Sequence, residues 1–135
     1  MRHLVLCSLL FAATTAAAGE PRSILDGYAR QAAIDDPKFS EFSATRGAEF
    51  YRQRHAADGG ELSCGTCHTN DPIAGGKHHK THKSIEPLAP AANPERFTDA
   101  AKVEKWFRRN CREVLGRECT AAEKGDFITY LISVR

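Results

Sequence analysis

The chain has 135 residues, 19 basic and 17 acidic side chains, a formal net charge of +2 and five cysteines. A chain of this length is expected to form one domain around a single core. The near balance of charge argues against general nucleic-acid binding.

Residues 1–18 have the pattern of a secretory signal peptide. A short basic start at Arg2 and His3 is followed by an apolar run over residues 4–13 and by three alanines that offer an A-x-A cleavage site before Gly19. The apolar run is too short to span a membrane. We therefore predict export to the periplasm, loss of residues 1–18, no stable membrane insertion, and one domain over residues 19–135.

Two helices are predicted in the first part of this domain. The first covers residues 23–35 and includes Ile34 on its loosely apolar side. The second begins at Ser43, which has the side chain of a typical N-cap, and runs towards His55 to stop near residues 59–60, which are both glycine. Gly47 lies inside this second helix, where glycine costs about 1 kcal/mol relative to alanine. We expect Gly47 to permit a close crossing with another helix.

The segment that carries the chemistry is Cys64-Gly65-Thr66-Cys67-His68. Two cysteines separated by two residues and followed by a histidine form the attachment motif of c-type haem. Thiols one helical turn apart can form thioethers with the two vinyl groups of a porphyrin, and the histidine is then placed to bind the iron. A thioredoxin-like redox pair and half of a zinc site are the alternatives. Export favours haem attachment.

Methionine is missing from the predicted mature protein, because Met1 is the only one in the chain. Many electron-transfer cytochromes c use a methionine sulfur as the sixth iron ligand. This protein must use another sixth ligand or none.

Residues 70–97 are rich in proline, glycine, histidine and lysine, and we expect them to form a long loop that covers one face of the haem. Its cations are either solvated or form a docking surface for an acidic redox partner, with contact to a haem propionate as a further option. Its histidines either lie at the surface or bind a metal, including the haem iron as sixth ligand. The cations are Lys77, Lys80, Lys83 and Arg96; the histidines are His78, His79 and His82.

A third helix is predicted from the N-cap Thr98 to the stop at Gly116. Its apolar residues recur at intervals of three and four, and Asn110 lies on the same stripe. A buried carboxamide needs a partner, which is either a hydrogen-bonding group or the iron. The apolar residues of the stripe are Val103, Trp106, Phe107, Cys111, Val114 and Leu115.

Cys111 and Cys119 are the two cysteines that remain once the signal and the haem motif are accounted for. In an oxidising compartment they are expected to form a short disulfide loop, and a reduced dithiol pair is the alternative. A last helix is predicted after the capping box formed by Thr120 and Glu123.

Several segments resemble class I cytochromes c, and more specifically the sphaeroides-haem-protein type. The terminal helices resemble a pair that crosses at right angles in that family, and the asparagine-cysteine pair in the third helix is its distinguishing feature. The matching segments are residues 47–51, 85–90, 93–94, 96–98, 102–111, 116–120 and 126–131.

This resemblance implies an all-α fold around one covalently bound haem c. It implies thioethers at Cys64 and Cys67, His68 as proximal ligand, Asn110 as sixth ligand of the oxidised iron, and a Cys111–Cys119 disulfide.

An amide oxygen is a hard, weak donor, which reduced iron tolerates less well than oxidised iron. We therefore predict that reduction releases Asn110 and opens a pocket lined by Trp106, where nitric oxide, oxygen or carbon monoxide can bind. A redox partner, such as another c- or b-type cytochrome, is expected to deliver the electron. The alternatives are a simple electron carrier with a histidine or lysine sixth ligand, and an enzyme acting on oxygen, nitric oxide or peroxide. Because no distal acid–base pair is evident beyond the loop histidines, a non-enzymatic protein is favoured.

Overall fold

Five helices and two short antiparallel hairpins make up the part of the chain that the computed structural model describes, which is residues 21–57 and 60–135. The predicted signal segment, residues 1–18, lies outside the described residues. The helices are α1 Pro21–Asp35, α2 Ala44–Arg52, α3 Cys64–His68, α4 Ala100–Leu115 and α5 Ala121–Ser133. The strands are β1 His55–Ala57, β2 Gly60–Leu62, β3 Gly76–Lys77 and β4 Ser84–Ile85. The predicted all-α fold class is confirmed, since the strands are only two or three residues long.

Helices α2 and α5 cross in direct backbone contact, and Gly47 makes this possible. A Cβ atom at Gly47 would overlap the carbonyl oxygen of Asp126 and would lie 2.8 Å from Cβ of Tyr130. Glycine is therefore required by packing at this position despite its low helix propensity. The predicted close crossing is confirmed.

The buried carboxylate of Asp126 holds the start of α2 against α5. It accepts hydrogen bonds from the backbone N–H of Ser43 at 2.6 Å and from the Arg46 guanidinium at 2.7 and 2.9 Å. The Asp126 carboxylate in turn raises the pKa of Arg46. A carboxylate that is only 6 % exposed needs such partners, because an unpaired buried charge is costly.

The core lies between α1, α2, α4 and α5 and is dominated by aromatic rings. Tyr51 is fully buried, with its ring centroid 6.0 Å from that of Phe127 and 5.6 Å from that of Tyr130. Phe107 of α4 meets Phe127 edge-on at 5.4 Å and so joins α4 to the same cluster. Offset and edge-on pairs of this kind add to the stabilisation from burial alone.

Three local predictions were wrong. Helix α2 ends at Arg52 and does not reach His55, which instead begins β1 and pairs with Leu62 of β2. The N-cap of α4 is Asp99, whose carboxylate accepts from the N–H of Lys102 at 3.0 Å. The Thr98 hydroxyl instead donates to the Glu95 carbonyl.

The third of these errors concerns Ile34. This side chain is 74 % exposed, because the core-facing residues of α1 are Ile24 and Ala32 and Ile34 lies outside their stripe. By contrast, the predicted stop of α4 is confirmed, since Gly116 has φ 70° and its N–H donates to the Arg112 carbonyl.

Residues 76–85, within the predicted long loop, form a small hairpin. We call these residues the bridging hairpin. Gly76 pairs with Ile85 and Lys77 with Ser84, and the N–H of His78 donates to the Lys83 carbonyl at 2.9 Å. Among residues 21–57 and 60–135, no helix has the length and apolar character needed to cross a membrane.

Candidate haem site

The attachment motif forms its own one-turn helix, α3, with both thiols available. The Ser63 N–H donates to Thr66 Oγ1 at 2.9 Å, which fixes the start of the turn. Cys64 and Cys67 lie one turn apart and are not bonded to each other. Burial raises the pKa of the Cys64 thiol to about 12, so this thiol is held neutral in an apolar setting. This arrangement differs from a redox-active pair, in which the thiol pKa is lowered.

His68 ends α3 with a neutral imidazole. Burial, with the nearby positive charge of Arg96 as a smaller cause, lowers the pKa of His68 to about 4. Within the described residues, its ring makes no hydrogen bond to another side chain or to the backbone. A neutral ring whose nitrogens have no protein partner is the form that binds a metal.

The backbone that follows His68 is held by Tyr51 at the centre of the core. The Tyr51 hydroxyl donates to the carbonyl of Thr69 at 2.7 Å and is 3.2 Å from the carbonyl of His68. Thr69 has φ 64°, which ends the helix immediately after the histidine. The direction of the histidine is thus set by the packing of α2 against α5.

The bridging hairpin also packs against the attachment turn. A Cβ atom at Gly76 would overlap the carbonyl oxygen of Cys67 and would lie 3.0 Å from Cα of His68. Arg96, at the end of the same loop, donates to the carbonyls of Pro87 and Glu86, both at 2.8 Å. Arg96 therefore tethers the loop, in contrast to Lys77 and Lys83, which are exposed.

Asn110 and Trp106 lie one turn apart on α4. Asn110 is partly buried, and its carboxamide makes no hydrogen bond to any other residue within 21–57 and 60–135. Trp106 is 43 % exposed, and the Arg109 guanidinium lies 5.1 Å from its ring centroid. The next residue after Asn110, Cys111, forms the predicted disulfide with Cys119, with the two Cα atoms 5.7 Å apart. The motif residues and the asparagine are therefore held by separate helices, α3 and α4.

The loop histidines are divided between a contact with α4 and the surface. Nε2 of His79 lies 2.9 Å from Oε1 of Glu113, and Nε2 of His78 lies 3.4 Å from Oε2 of the same carboxylate. His82 is exposed. No cluster of three or more histidine, cysteine or acidic side chains suited to a metal ion occurs in the described part of the chain.

Glu113 was not singled out from the sequence. Burial alone would raise its pKa, but the hydrogen bond from His79 and the neighbouring His78 outweigh burial, and the pKa of Glu113 is lowered. The sequence signal that could have indicated it is the spacing of three residues, which places Glu113 beside Asn110 on the surface of α4.

The residues present fit a covalently attached haem. Two unpaired thiols one turn apart, a neutral imidazole directly after them and a partner-free carboxamide supply the attachment points and donor types that such a group needs. Together with the crossed helices α2 and α5, this set defines the chain as a c-type cytochrome.

Comparison with known proteins identifies the family. The chain is 40% identical over 131 residues to the cytochrome c-type protein SHP of Cereibacter sphaeroides, covering 96% of both proteins. It is 41% identical over 99 residues to cytochrome c'' of Methylophilus methylotrophus, covering 73% of this chain and 69% of that protein. Residues 37–131 also match a family described as a domain of unknown function, DUF1924.

Solved structures of the same two proteins share the fold. Oxidised cytochrome c'' of Methylophilus methylotrophus aligns with a TM-score of 0.78 at 37% identity, covering 85% of this chain and 94% of that one. Oxidised SHP, described as an oxygen-binding cytochrome c, aligns with a TM-score of 0.73 at 39% identity, covering 84% and 96%. The chain therefore belongs to the SHP-type cytochromes, whose cofactor is one covalently bound haem c.

Proposed function

We propose that the chain is an exported monohaem cytochrome that accepts an electron and, once reduced, binds a small ligand such as oxygen or nitric oxide. In this proposal Cys64 and Cys67 hold the haem through thioethers and His68 is the proximal ligand. The free thiols on α3 and the neutral ring of His68 support this assignment. When bound, the haem would supply a one-electron redox centre.

Asn110 is the proposed sixth ligand in the oxidised protein. The observation that carries this assignment is its partly buried carboxamide, which has no hydrogen-bonding partner in the described residues although it lies on a helix that also faces the core. The carboxamide is therefore unengaged by the described part of the protein and available to a group that lies against this part of α4. The disulfide at the next residue restrains the backbone that directs this side chain.

In this proposal the oxidation state of the iron decides whether Asn110 stays bound. Its neutral oxygen is a hard donor that suits the oxidised centre and is held less tightly after reduction. Once released, the Asn110 side chain would be able to turn its amide N–H groups towards a small ligand beside Trp106. The oxygen binding named for SHP, and the haem-ligand detachment named for the solution structure of cytochrome c'', support release of a ligand and binding of a small molecule by analogy.

Export places this activity in the periplasm, after removal of residues 1–18 from a domain over residues 19–135. The exposed side chains of Lys77 and Lys83 support docking of an acidic redox partner at the bridging hairpin. Such a partner, in the form of another c- or b-type cytochrome, supplies the electron that releases Asn110.

A simple electron carrier with a histidine sixth ligand is the competing function. His78, His79 and His82 are the candidate ligands for it. His78 and His79 both direct Nε2 towards Glu113, and His82 is exposed. The N–H groups of Lys80 and Thr81 each lie 3.3 Å from Nδ1 of His78, so this nitrogen is engaged as an acceptor. These contacts favour Asn110.

Optical and EPR spectra of wild type and Asn110→Ala, oxidised and reduced, test the assignment. Asn93→Ala is the matched control, since it removes a loop carboxamide that accepts from the N–H of Glu95. We expect Asn110→Ala alone to convert the oxidised protein to a high-spin form, and wild type to bind carbon monoxide or nitric oxide only when reduced. An unchanged oxidised spectrum in Asn110→Ala, or a reduced wild type that binds neither gas, would refute the proposal.

A further inference from the structure

The contact between the bridging hairpin and Glu113 is not used by the proposed function. It joins segments 34 residues apart in the chain, and it brings two histidines and Lys80 to one partly buried carboxylate. Nζ of Lys80 lies 3.9 Å from Glu113 Oε1. Glu113 is therefore the α4 residue through which the bridging hairpin is held to this helix.

The hydrogen bonds at Nδ1 of His78 indicate which of its ring nitrogens donates to Glu113. Because Nδ1 of His78 accepts from the backbone, its ring proton lies on Nε2, which faces Glu113. The rings of His78 and His79 stack with their centroids 5.2 Å apart and an angle of 28° between planes. The two imidazoles therefore approach the carboxylate together as one preorganised unit.

Glu113 lies close to Asn110 on the helix surface. At about 100° per residue, Glu113 is about 60° to one side of Asn110, whereas Cys111 is about 100° to the other side. Cys111 is fixed to Cys119 by the disulfide, and Glu113 is fixed to the hairpin. The turn that carries Asn110 is thus restrained on both flanks.

The hairpin is a suitable anchor because its opposite end rests on the attachment turn. Gly76 packs against the backbone of Cys67 and His68, while His78 and His79 reach α4. The ladder between β3 and β4 and the His78–Lys83 backbone hydrogen bond hold these two ends in one unit. The hairpin therefore connects the helix of the proximal histidine with the helix of the asparagine.

We infer that Glu113, held by His79 and His78, is a positioning residue that fixes the α4 turn and thereby aims the Asn110 carboxamide. This inference rests on the proposed role of Asn110. The contact favours the oxidised, Asn110-bound arrangement, because that arrangement requires a fixed distance between α3 and α4. Loss of the contact leaves the turn restrained by the disulfide alone.

The test compares Glu113→Ala, Glu113→Gln and His79→Ala in the oxidised holoprotein. We expect the ratio of high-spin to low-spin haem to rise about tenfold in Glu113→Ala and His79→Ala, which is the lower end for loss of one hydrogen bond to a charged group. The rise should be smaller in Glu113→Gln, whose amide oxygen still accepts from the histidines.

Two matched controls separate this effect from general loss of stability. His82→Asn alters the exposed histidine of the same hairpin, and asparagine tolerates its φ of 55°. Glu118→Ala removes an ion pair of 2.7 Å with Arg112 at the end of α4. Both controls should keep the wild-type spin ratio, and melting temperatures of all variants identify any that fail to fold.

The Asn110→Ala background separates positioning from the charge of Glu113. Because Asn110→Ala is itself expected to be high-spin, the readout in this comparison is the reduction potential of the haem. If Glu113 acts through Asn110, Glu113→Ala shifts the potential only where Asn110 is present. An equal shift in both backgrounds would overturn the inference, as would Glu113 and His79 variants that match the controls. If Asn110→Ala itself leaves the oxidised spectrum unchanged, the proposed function fails, and this outcome is distinct from failure of the positioning role alone.

Discussion

Gly47→Ala is a substitution for which helix propensity and packing predict opposite signs. In an open helix, alanine is favoured over glycine by about 1 kcal/mol. At Gly47 the added Cβ would overlap the Asp126 carbonyl and lie 2.6 Å from its carbon and 2.8 Å from Tyr130 Cβ. These atoms belong to the backbone and the stem of a buried helix, so α2 and α5 must separate.

Overpacking of a core costs about 1–3 kcal/mol, and a clash with backbone belongs at the upper end. After the propensity gain is subtracted, we expect Gly47→Ala to lower the free energy of unfolding by about 2 kcal/mol. The matched control is Gly27→Ala on α1, where an added Cβ meets no atom within 4 Å. It should raise the free energy of unfolding by about 0.5–1 kcal/mol.

Urea unfolding of the oxidised holoprotein, followed by far-ultraviolet circular dichroism, measures both values. The two variants should therefore lie about 3 kcal/mol apart, with Gly47→Ala the weaker. A Gly47→Ala protein as stable as wild type would show that the helices do not cross in backbone contact and would refute the packing argument.

Three further outcomes follow from named contacts. Asp126→Ala should cost about 2 kcal/mol, because it leaves the partly buried Ser43 N–H without its acceptor; an equilibrium unfolding curve that overlays wild type would contradict this. Cys111→Ser should cost about 2–3 kcal/mol by freeing the short loop, measured by thermal melting with Cys119→Ser as the companion variant. Burial alone would raise the pKa of Glu104, but hydrogen bonds from other side chains lower it. Stability from Glu104 is therefore present above its unfolded pKa near 4.5 and lost as pH falls further; Glu104→Gln should flatten the melting temperature over that range, and parallel profiles would contradict the assignment.

Local signals in the sequence were sufficient for most of the helical framework. The N-cap at Ser43, the stop at Gly116 and the capping box at Thr120 and Glu123 each act within one turn, so the chain alone specifies them. The close crossing at Gly47 could also be predicted, because glycine destabilises the interior of a helix unless a neighbouring element needs the space.

Non-local pairing accounts for what the sequence did not predict. The end of α2 depends on β1 pairing with β2, and helical spacing alone does not reveal a partner strand. His78 and His79 were predicted as possible iron ligands because the sequence did not reveal their partner Glu113, which lies on a distant part of the chain. The joint placement of α3 and α4 likewise follows from the aromatic core and from the hairpin, neither of which forms a local motif.

The disulfide beside Asn110 affects how the protein can be studied. Cys111 and Cys119 are only 4 % and 7 % exposed, so a bulky thiol has poor access to the sulfur atoms. A reductant can therefore deliver a single electron to the cofactor while the two-electron sulfur couple of the folded protein stays oxidised. Reductive titrations of the folded protein then report on the iron alone, and a thiol reaches the disulfide only once the protein unfolds.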